Sequence, residues 1–116
     1  MSSEPTAALA AYDRLVSTIP GVERKGAKMP YTSVNGNMTS FLDDGVLAIR
    51  LSATDRERFV EQFGSAIHVS QGHVMKEYVT VPPSLLDDTV SLTPWFAASW
   101  SYGSGLKPKP TTRKRG

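Results

Sequence analysis

The apolar residues near the start of the chain recur at helical spacing. The stripe consists of Leu9, Tyr12, Val16 and Ile19. Steps of three and four residues place these side chains on one face of a helix. Pro5 suits a first helical turn, and Pro20-Gly21 ends the pattern. The spacing therefore predicts an amphipathic helix over residues 5–18.

The next thirty residues change to short apolar runs separated by turn dipeptides. The runs at residues 29–34, 38–42 and 46–51 are predicted strands. Asn35-Gly36 and Asp44-Gly45 lie between them, and both pairs readily adopt the positive φ of a tight hairpin. Alternation along the third run assigns Leu47, Ile49 and Leu51 to the core face. The segment is thus predicted to be a three-stranded meander.

A second helix is predicted over residues 55–63. Thr54 and Glu57 have the spacing of a capping box, in which each side chain accepts a main-chain N–H of the first turn. Phe59 and Phe63 supply its apolar stripe. Gly64 suits the left-handed residue that commonly follows a helix.

The last third of the chain predicts a hairpin and a closing helix. Two strands, at residues 67–69 and 74–81, flank Gln71-Gly72. The final helix covers residues 92–102, is capped by Ser91 or Asp88, and ends at Gly103 and Gly105. The order α-β(3)-α-β(2)-α with hairpin turns predicts an α+β protein, with an antiparallel sheet covered by helices on one side.

Composition divides the chain into a folded part and a basic tail. The 116 residues fit one domain, which we assign to residues 1–106. Of 13 basic residues, five lie in residues 107–116, which have no acid, so residues 1–106 carry eight bases against 11 acids. A single-signed segment with little apolar content is predicted to be disordered.

Features that the sequence lacks restrict the cellular compartment in which the protein is expected and the chemistry that it can perform. With no cysteine, the chain has no disulfide, thiolate nucleophile or cysteine metal site. The N-terminus lacks the pattern of a signal peptide, and no apolar run approaches membrane-spanning length. We therefore expect a cytoplasmic protein without membrane contact.

Three segments together resemble the stand-alone branch of the TfoX N-terminal-domain-like family. They are RKGAKMPYTSVNGNMTSFL at residues 24–42, MKEYV with VPPSLL across residues 75–86, and the helix from Trp95 into LKPKP at residues 106–110. Thr39 departs from the pattern, because related sequences are more aromatic there, and this implies a small gap in the sheet face.

The resemblance implies a bacterial protein with a secretion-chaperone-like α-β(3)-α-β(2)-α fold. In two-domain TfoX/Sxy proteins, this domain belongs to a regulator of natural competence that acts with the cyclic-AMP receptor protein. The present chain ends before a second domain. The resemblance is therefore expected to predict the fold of the domain more directly than a role in competence.

Few residues suggest catalysis. His68 and His73 flank a predicted turn with Glu77 further along the strand, so they could form a two-histidine, one-carboxylate metal site. Polar residues near a turn explain the same pattern, and Asp43-Asp44 is interpreted as a turn pair in the same way. No phosphate-loop, dinucleotide or nucleophile-elbow motif is present in the sequence. We expect a non-enzymatic protein without a cofactor, with a small metal-dependent enzyme as an alternative.

Aromatic residues crowd the final helix. Neighbours such as Trp95 and Phe96 differ by about 100° around a helix, so they cannot all face the core. Trp95, Trp100 and Tyr102 are therefore the predicted contacts of a protein interface, either with a partner or with a second copy. Packing in the core is the competing interpretation.

Basic residues suggest a second kind of partner. The candidates for weak, sequence-independent nucleic-acid contact are Arg24, Lys25, Lys28, Lys107, Lys109, Arg113, Lys114 and Arg115. Cations of this density release counterions from phosphates, which gives salt-dependent binding. A charge-protected strand edge explains the first three equally well, and a solubilising tail explains the others.

Overall fold

A computed structural model describes residues 5–26 and 29–107 of the protein. The helices are α1 Pro5–Val16, α2 Ala53–Phe63, α3 Pro83–Leu86 and α4 Thr89–Gly105; the strands are β1 Tyr31–Val34, β2 Asn37–Asp43, β3 Val46–Arg50, β4 Ile67–Ser70 and β5 His73–Thr80. The α+β class and the order of the elements are as predicted. The one additional element is the short helix α3, which begins at the second residue of Pro82-Pro83.

The five strands form one antiparallel sheet in the order β1-β2-β3-β5-β4. All three predicted hairpin turns are present: Asn35, Asp44 and Gln71 have φ near 50°, and each is followed by a glycine with positive φ. The two residues between paired strands thus adopt the conformation that glycine and short polar residues tolerate. The turns therefore set the antiparallel pairing.

The main core lies between the sheet and the helices. Leu47, Ile49 and Leu51 are completely buried there, as their alternation predicts. Tyr12 from α1, Phe59 from α2 and other helical side chains close the same core; the remaining buried helical members are Ala11, Leu15, Val16, Leu85, Leu86, Leu92 and Phe96. Among the described residues, the helices consequently cover one face of the sheet and not the other.

The start of α2 differs from the sequence prediction. The helix begins at Ala53, and its N-cap is Ser52, which has an extended backbone and whose hydroxyl accepts the N–H of Asp55. The predicted capping box of Thr54 and Glu57 is therefore wrong, because both residues already lie inside the helix. The C-terminal prediction is confirmed, since Gly64 has φ 63° and donates its N–H to the Val60 carbonyl.

The predicted end of the last helix is also wrong at one residue. Gly103 lies buried inside α4 rather than ending it. A Cβ on Gly103 would lie 2.3 Å from the Thr39 methyl carbon, so glycine allows the helix to touch β2. The sequence implied a gap at Thr39, but α4 fills that space. The N-cap is Asp88, one of the two predicted candidates.

Hydroxyl groups join the sheet to α1 and α4. The register of the β1–β2 pair shifts at Thr39, so that Thr39 and Ser40 both face Thr32, whose hydroxyl contacts the hydroxyls of both. Tyr12 is 2.6 Å from the Ser40 hydroxyl, and Ser99 donates to the Thr39 carbonyl at 2.8 Å. All five side chains are buried. Their mutual bonds satisfy polar groups that would otherwise destabilise the core.

None of the helices within the described residues has the length and hydropathy needed to span a membrane.

Candidate functional site

The sheet face opposite the helices, which we call the concave face because two hollows open on it, carries a second, smaller core. Phe41, Ala48 and Tyr78 are buried there, and Phe41 meets the Tyr78 ring edge-on with centroids 5.4 Å apart. Half-buried Tyr31, Met38 and Met75 pack around them. Ala48 pairs with Phe41 on one side and Thr80 on the other, so its small side chain leaves room above the sheet. Apolar side chains thus line a face that none of the helices α1 to α4 covers.

A groove of about 460 Å³ opens on this face, and we call it the methionine groove. Its lining residues are Met29, Met38, Phe41, Ser70, Gln71, His73, Val74 and Met75. Met29 is 43% exposed and Val74 is 62% exposed, which is unusual for large apolar side chains. The β4–β5 hairpin forms one wall, and the segment before β1 together with β2 forms the other. The groove is therefore an accessible apolar surface between two hairpins.

His68 connects the edge of the sheet to its middle. Its Nδ1 is 2.8 Å from the Thr80 hydroxyl, and its Nε2 is 3.2 Å from an Asp43 carboxylate oxygen. The ring also meets Phe41 edge-on at 5.4 Å and is only 4% exposed. Asp44 and neighbouring side chains extend this region into an open hollow of about 540 Å³. Asp43, interpreted from the sequence as a turn residue, thus has a tertiary partner.

Glu77 is held by two partners at the side of the concave face. The Arg50 guanidinium lies 2.6 Å from its carboxylate, and the Tyr102 hydroxyl donates to it at 3.0 Å. Burial opposes ionisation of Glu77, but these hydrogen bonds and the Arg50 charge outweigh burial and lower its pKa. Arg50 and the Tyr78 hydroxyl also both donate to the Met38 carbonyl. These bonds fix β2, β3 and β5 beneath the methionine groove.

The metal candidates of the sequence do not meet. His68 contacts Asp43 and Thr80, Glu77 contacts Arg50 and Tyr102, and His73 lies exposed beside the hairpin turn. Within the described residues, no three side chains of histidine, aspartate or glutamate are grouped as metal ligands. The proposed two-histidine, one-carboxylate geometry is therefore wrong.

The aromatic side chains of α4 have separate environments. Trp95 packs edge-on against Phe59 and Phe63, with centroids 5.2 and 5.9 Å away, and so belongs to the main core. Tyr102 is engaged with Glu77. Trp100 is half-buried. A role for these residues as an interface stays a prediction, with Trp100 the least committed to internal contacts.

The basic candidates are only partly within the described residues. Arg24 forms an ion pair with Asp13 on α1, and the main chain of Lys25 pairs with Tyr31 beside the edge strand. The Lys107 side chain is exposed, while its carbonyl accepts from Asn37 at 3.1 Å. Lys28, Lys109, Arg113, Lys114 and Arg115 lie outside the described residues. Nucleic-acid contact stays a prediction.

Sequence reasoning missed the methionine groove. Its residues come from three separate segments, and their common face depends on strand order and on register shifts. One signal was available: Met38, Phe41 and Tyr78 are large side chains for which the predicted core offered no partner. Recognising them as one surface required the tertiary structure.

Comparison with known proteins gives one match. Residues 32–102 match the family model of the TfoX N-terminal domain, which is more than half of the chain and includes all five strands except the first residue of β1. No curated protein and no solved structure matches the chain.

Proposed function

The chain belongs to the TfoX N-terminal domain family, and from this premise we propose that it is a non-enzymatic cytoplasmic module for protein interaction. Its binding surface is the methionine groove, and its partner is an amphipathic helix with acidic residues beside the apolar stripe. The observation that carries the proposal is the exposure of Met29 and Val74 across a groove whose floor is the packed ring of Phe41.

The side chains of the groove suit an adaptable apolar contact. Methionine is unbranched and polarizable, so Met29, Met38 and Met75 can adjust to side chains of different shapes. Contiguous apolar surface between polar rims is a common feature of interaction sites. Helices bind such grooves through apolar residues on one face, which anchor in the groove while water leaves it.

Charge near the groove favours an acidic partner. Lys76 follows Met75 and is exposed, and the exposed Lys25 lies beside Tyr31. Among the described residues, the lining contains His73 and no acidic residue. Acidic residues flanking an apolar stripe would meet these cations, which steers association and fixes orientation.

Titration with designed peptides tests the proposal. One peptide carries leucines at helical spacing with glutamates beside them, and a second replaces those glutamates with lysines. Binding is followed by NMR of methyl-labelled methionine, because three of the four methionines line the groove. We expect the acidic peptide to shift the signals of Met29, Met38 and Met75, and the lysine peptide to bind at least about tenfold more weakly, a difference of about 1.4 kcal/mol.

A matched pair of variants locates the binding site. Met29→Glu introduces a charge into the groove and should abolish peptide binding. Val90→Glu introduces the same charge at an apolar side chain on α4 that is 84% exposed and outside the groove lining, so it should leave binding unchanged. Equal affinity of both variants, or methionine signals that do not respond to the acidic peptide, would refute the proposal.

A further inference from the structure

We infer that His68 is the positioning residue of the methionine groove: it holds the β4–β5 hairpin over the concave face and thereby sets the separation of the groove walls. The expected effect of His68 on ligand binding rests on the proposed function. Its effect on the position of the hairpin can be measured without any binding partner.

The hairpin is bent where His68 lies. Ile67 pairs with Val79 but Val69 pairs with Val74, so one residue of β4 stands opposite four residues of β5. Such an irregularity bends the strands and increases their twist. The four residues opposite His68 are 75–78, three more than regular pairing needs, and they include Met75 of the groove wall and Tyr78 of the floor. Ser70, Gln71 and His73 at the hairpin tip line the same groove as Met38 and Phe41 of β2, so the bent hairpin leans over this face of the sheet.

The bend brings an edge strand to a strand that is not its neighbour. Strands β3 and β5 lie between β4 and β2 in the sheet, yet His68 on β4 reaches Asp43 at the end of β2. Its ring also meets the ring of Phe41 on β2 edge-on. His68 thus spans the concave face from its edge to its middle.

Hydrogen bonding gives the ring one orientation. A carboxylate only accepts, so the Nε2–H of His68 donates to Asp43. Nδ1 forms the second hydrogen bond, with the Thr80 hydroxyl. Because the ring is almost completely buried, losing either partner leaves a ring nitrogen without its protein hydrogen bond. The two bonds and the Phe41 contact together resist opening of the hairpin.

The position of His68 affects the groove through residues that lie next to it. Two residues beyond His68, Ser70 lines the groove, and the hairpin continues through Gln71 and His73 to Met75. Phe41 contacts the His68 ring and is also part of the groove floor. Release of His68 would therefore move one wall of the groove away from the other.

Variants that keep the ring provide the cleanest test. Thr80→Val removes the hydroxyl that is hydrogen-bonded to Nδ1 of His68. Asp43→Ala removes the carboxylate that accepts from Nε2–H, whereas Asp43→Asn retains an acceptor for it. The control is Ser99→Ala, which removes a buried hydroxyl bond to Thr39 beneath α4. It should lower the melting temperature without involving the hairpin.

The structural readout is the set of NOEs between the Met75 methyl group and the ring protons of the packed cluster, measured on the folded protein without ligand. Thr80→Val and Asp43→Ala should weaken these NOEs and shift the Met75 signal, while Asp43→Asn and Ser99→Ala should leave both as in the wild type. His68→Ala should give the largest loss. Unchanged Met75 NOEs in Thr80→Val and Asp43→Ala would overturn the inference.

The binding readout separates this inference from the proposed function. Thr80→Val and Asp43→Ala should bind the acidic peptide about tenfold more weakly, and Asp43→Asn should bind within about twofold of the wild type. If the wild type does not bind the peptide, the proposed function fails, and the NOEs still decide whether His68 positions the hairpin. If the NOEs respond but affinity does not, the positioning role in binding is refuted.

Discussion

Replacing Gly103 with alanine should destabilise the protein, although the same change stabilises most helices. Alanine is better than glycine in a helix interior by about 1 kcal/mol. At Gly103, however, the new methyl group would lie 2.3 Å from the Thr39 methyl carbon and 3.1 Å from a Val34 methyl carbon. Carbon atoms in favourable contact are about 3.5–4 Å apart, so the helix or the strand must move.

Thr39 has little freedom to move away. Its hydroxyl is bonded to Thr32 at 2.8 Å, and its carbonyl accepts from Ser99 on α4. Overpacking of a core costs roughly 1–3 kcal/mol, and a constrained neighbour favours the upper end. After subtraction of the helix-propensity gain, we expect Gly103→Ala to lower the free energy of unfolding by about 2 kcal/mol. For a domain of this size that is roughly 8 °C in melting temperature.

Urea denaturation of matched variants measures this effect. Gly105→Ala is the control, because no atom lies within 4 Å of its added Cβ and the change should be neutral or slightly stabilising. Thr39→Ser removes the clashing methyl carbon and keeps the hydroxyl, so adding Gly103→Ala to it should cost much less than in the wild type. The reasoning would be refuted if Gly103→Ala were as stable as the wild type, or if its cost were the same in the Thr39→Ser background.

Three further outcomes are expected. Burial raises the pKa of both Tyr12 and Tyr78 to about 12, above the value near 10 in an unfolded chain. The unfolded state therefore loses these protons first, so the contribution of the two tyrosines is complete below about pH 9.5 and stability should fall between pH 10 and 12, with a shallower fall in Tyr12→Phe when unfolding is followed by circular dichroism. Glu77→Gln should lower the free energy of unfolding by about 1 kcal/mol in urea titrations, because it removes a partly exposed ion pair with Arg50; no change would show that the pair contributes nothing. Deleting residues 107–116 should abolish binding to labelled duplex DNA at low salt if the tail binds phosphates, and unchanged affinity would exclude the tail as the contact.

Local sequence determined the elements and their turns. The helical stripe of α1, the alternation in β3 and the dipeptides at Asn35, Asp44 and Gln71 each depend on residues within a few positions. Backbone preferences and side-chain periodicity act over that distance, so these features follow from the sequence without knowledge of the partner strands. The α+β class and one buried face of the sheet follow in turn.

Only the tertiary structure decided the candidate site. The reach of His68 to Asp43 depends on which strands lie between them and on a register shift that no local pattern specifies. Gly103 has the sequence context of a helix end, but its role comes from Thr39, 64 positions earlier, which touches the helix. Contacts between distant segments are selected by the packing of the whole chain, because each residue has many partners of suitable polarity and the fold permits one set.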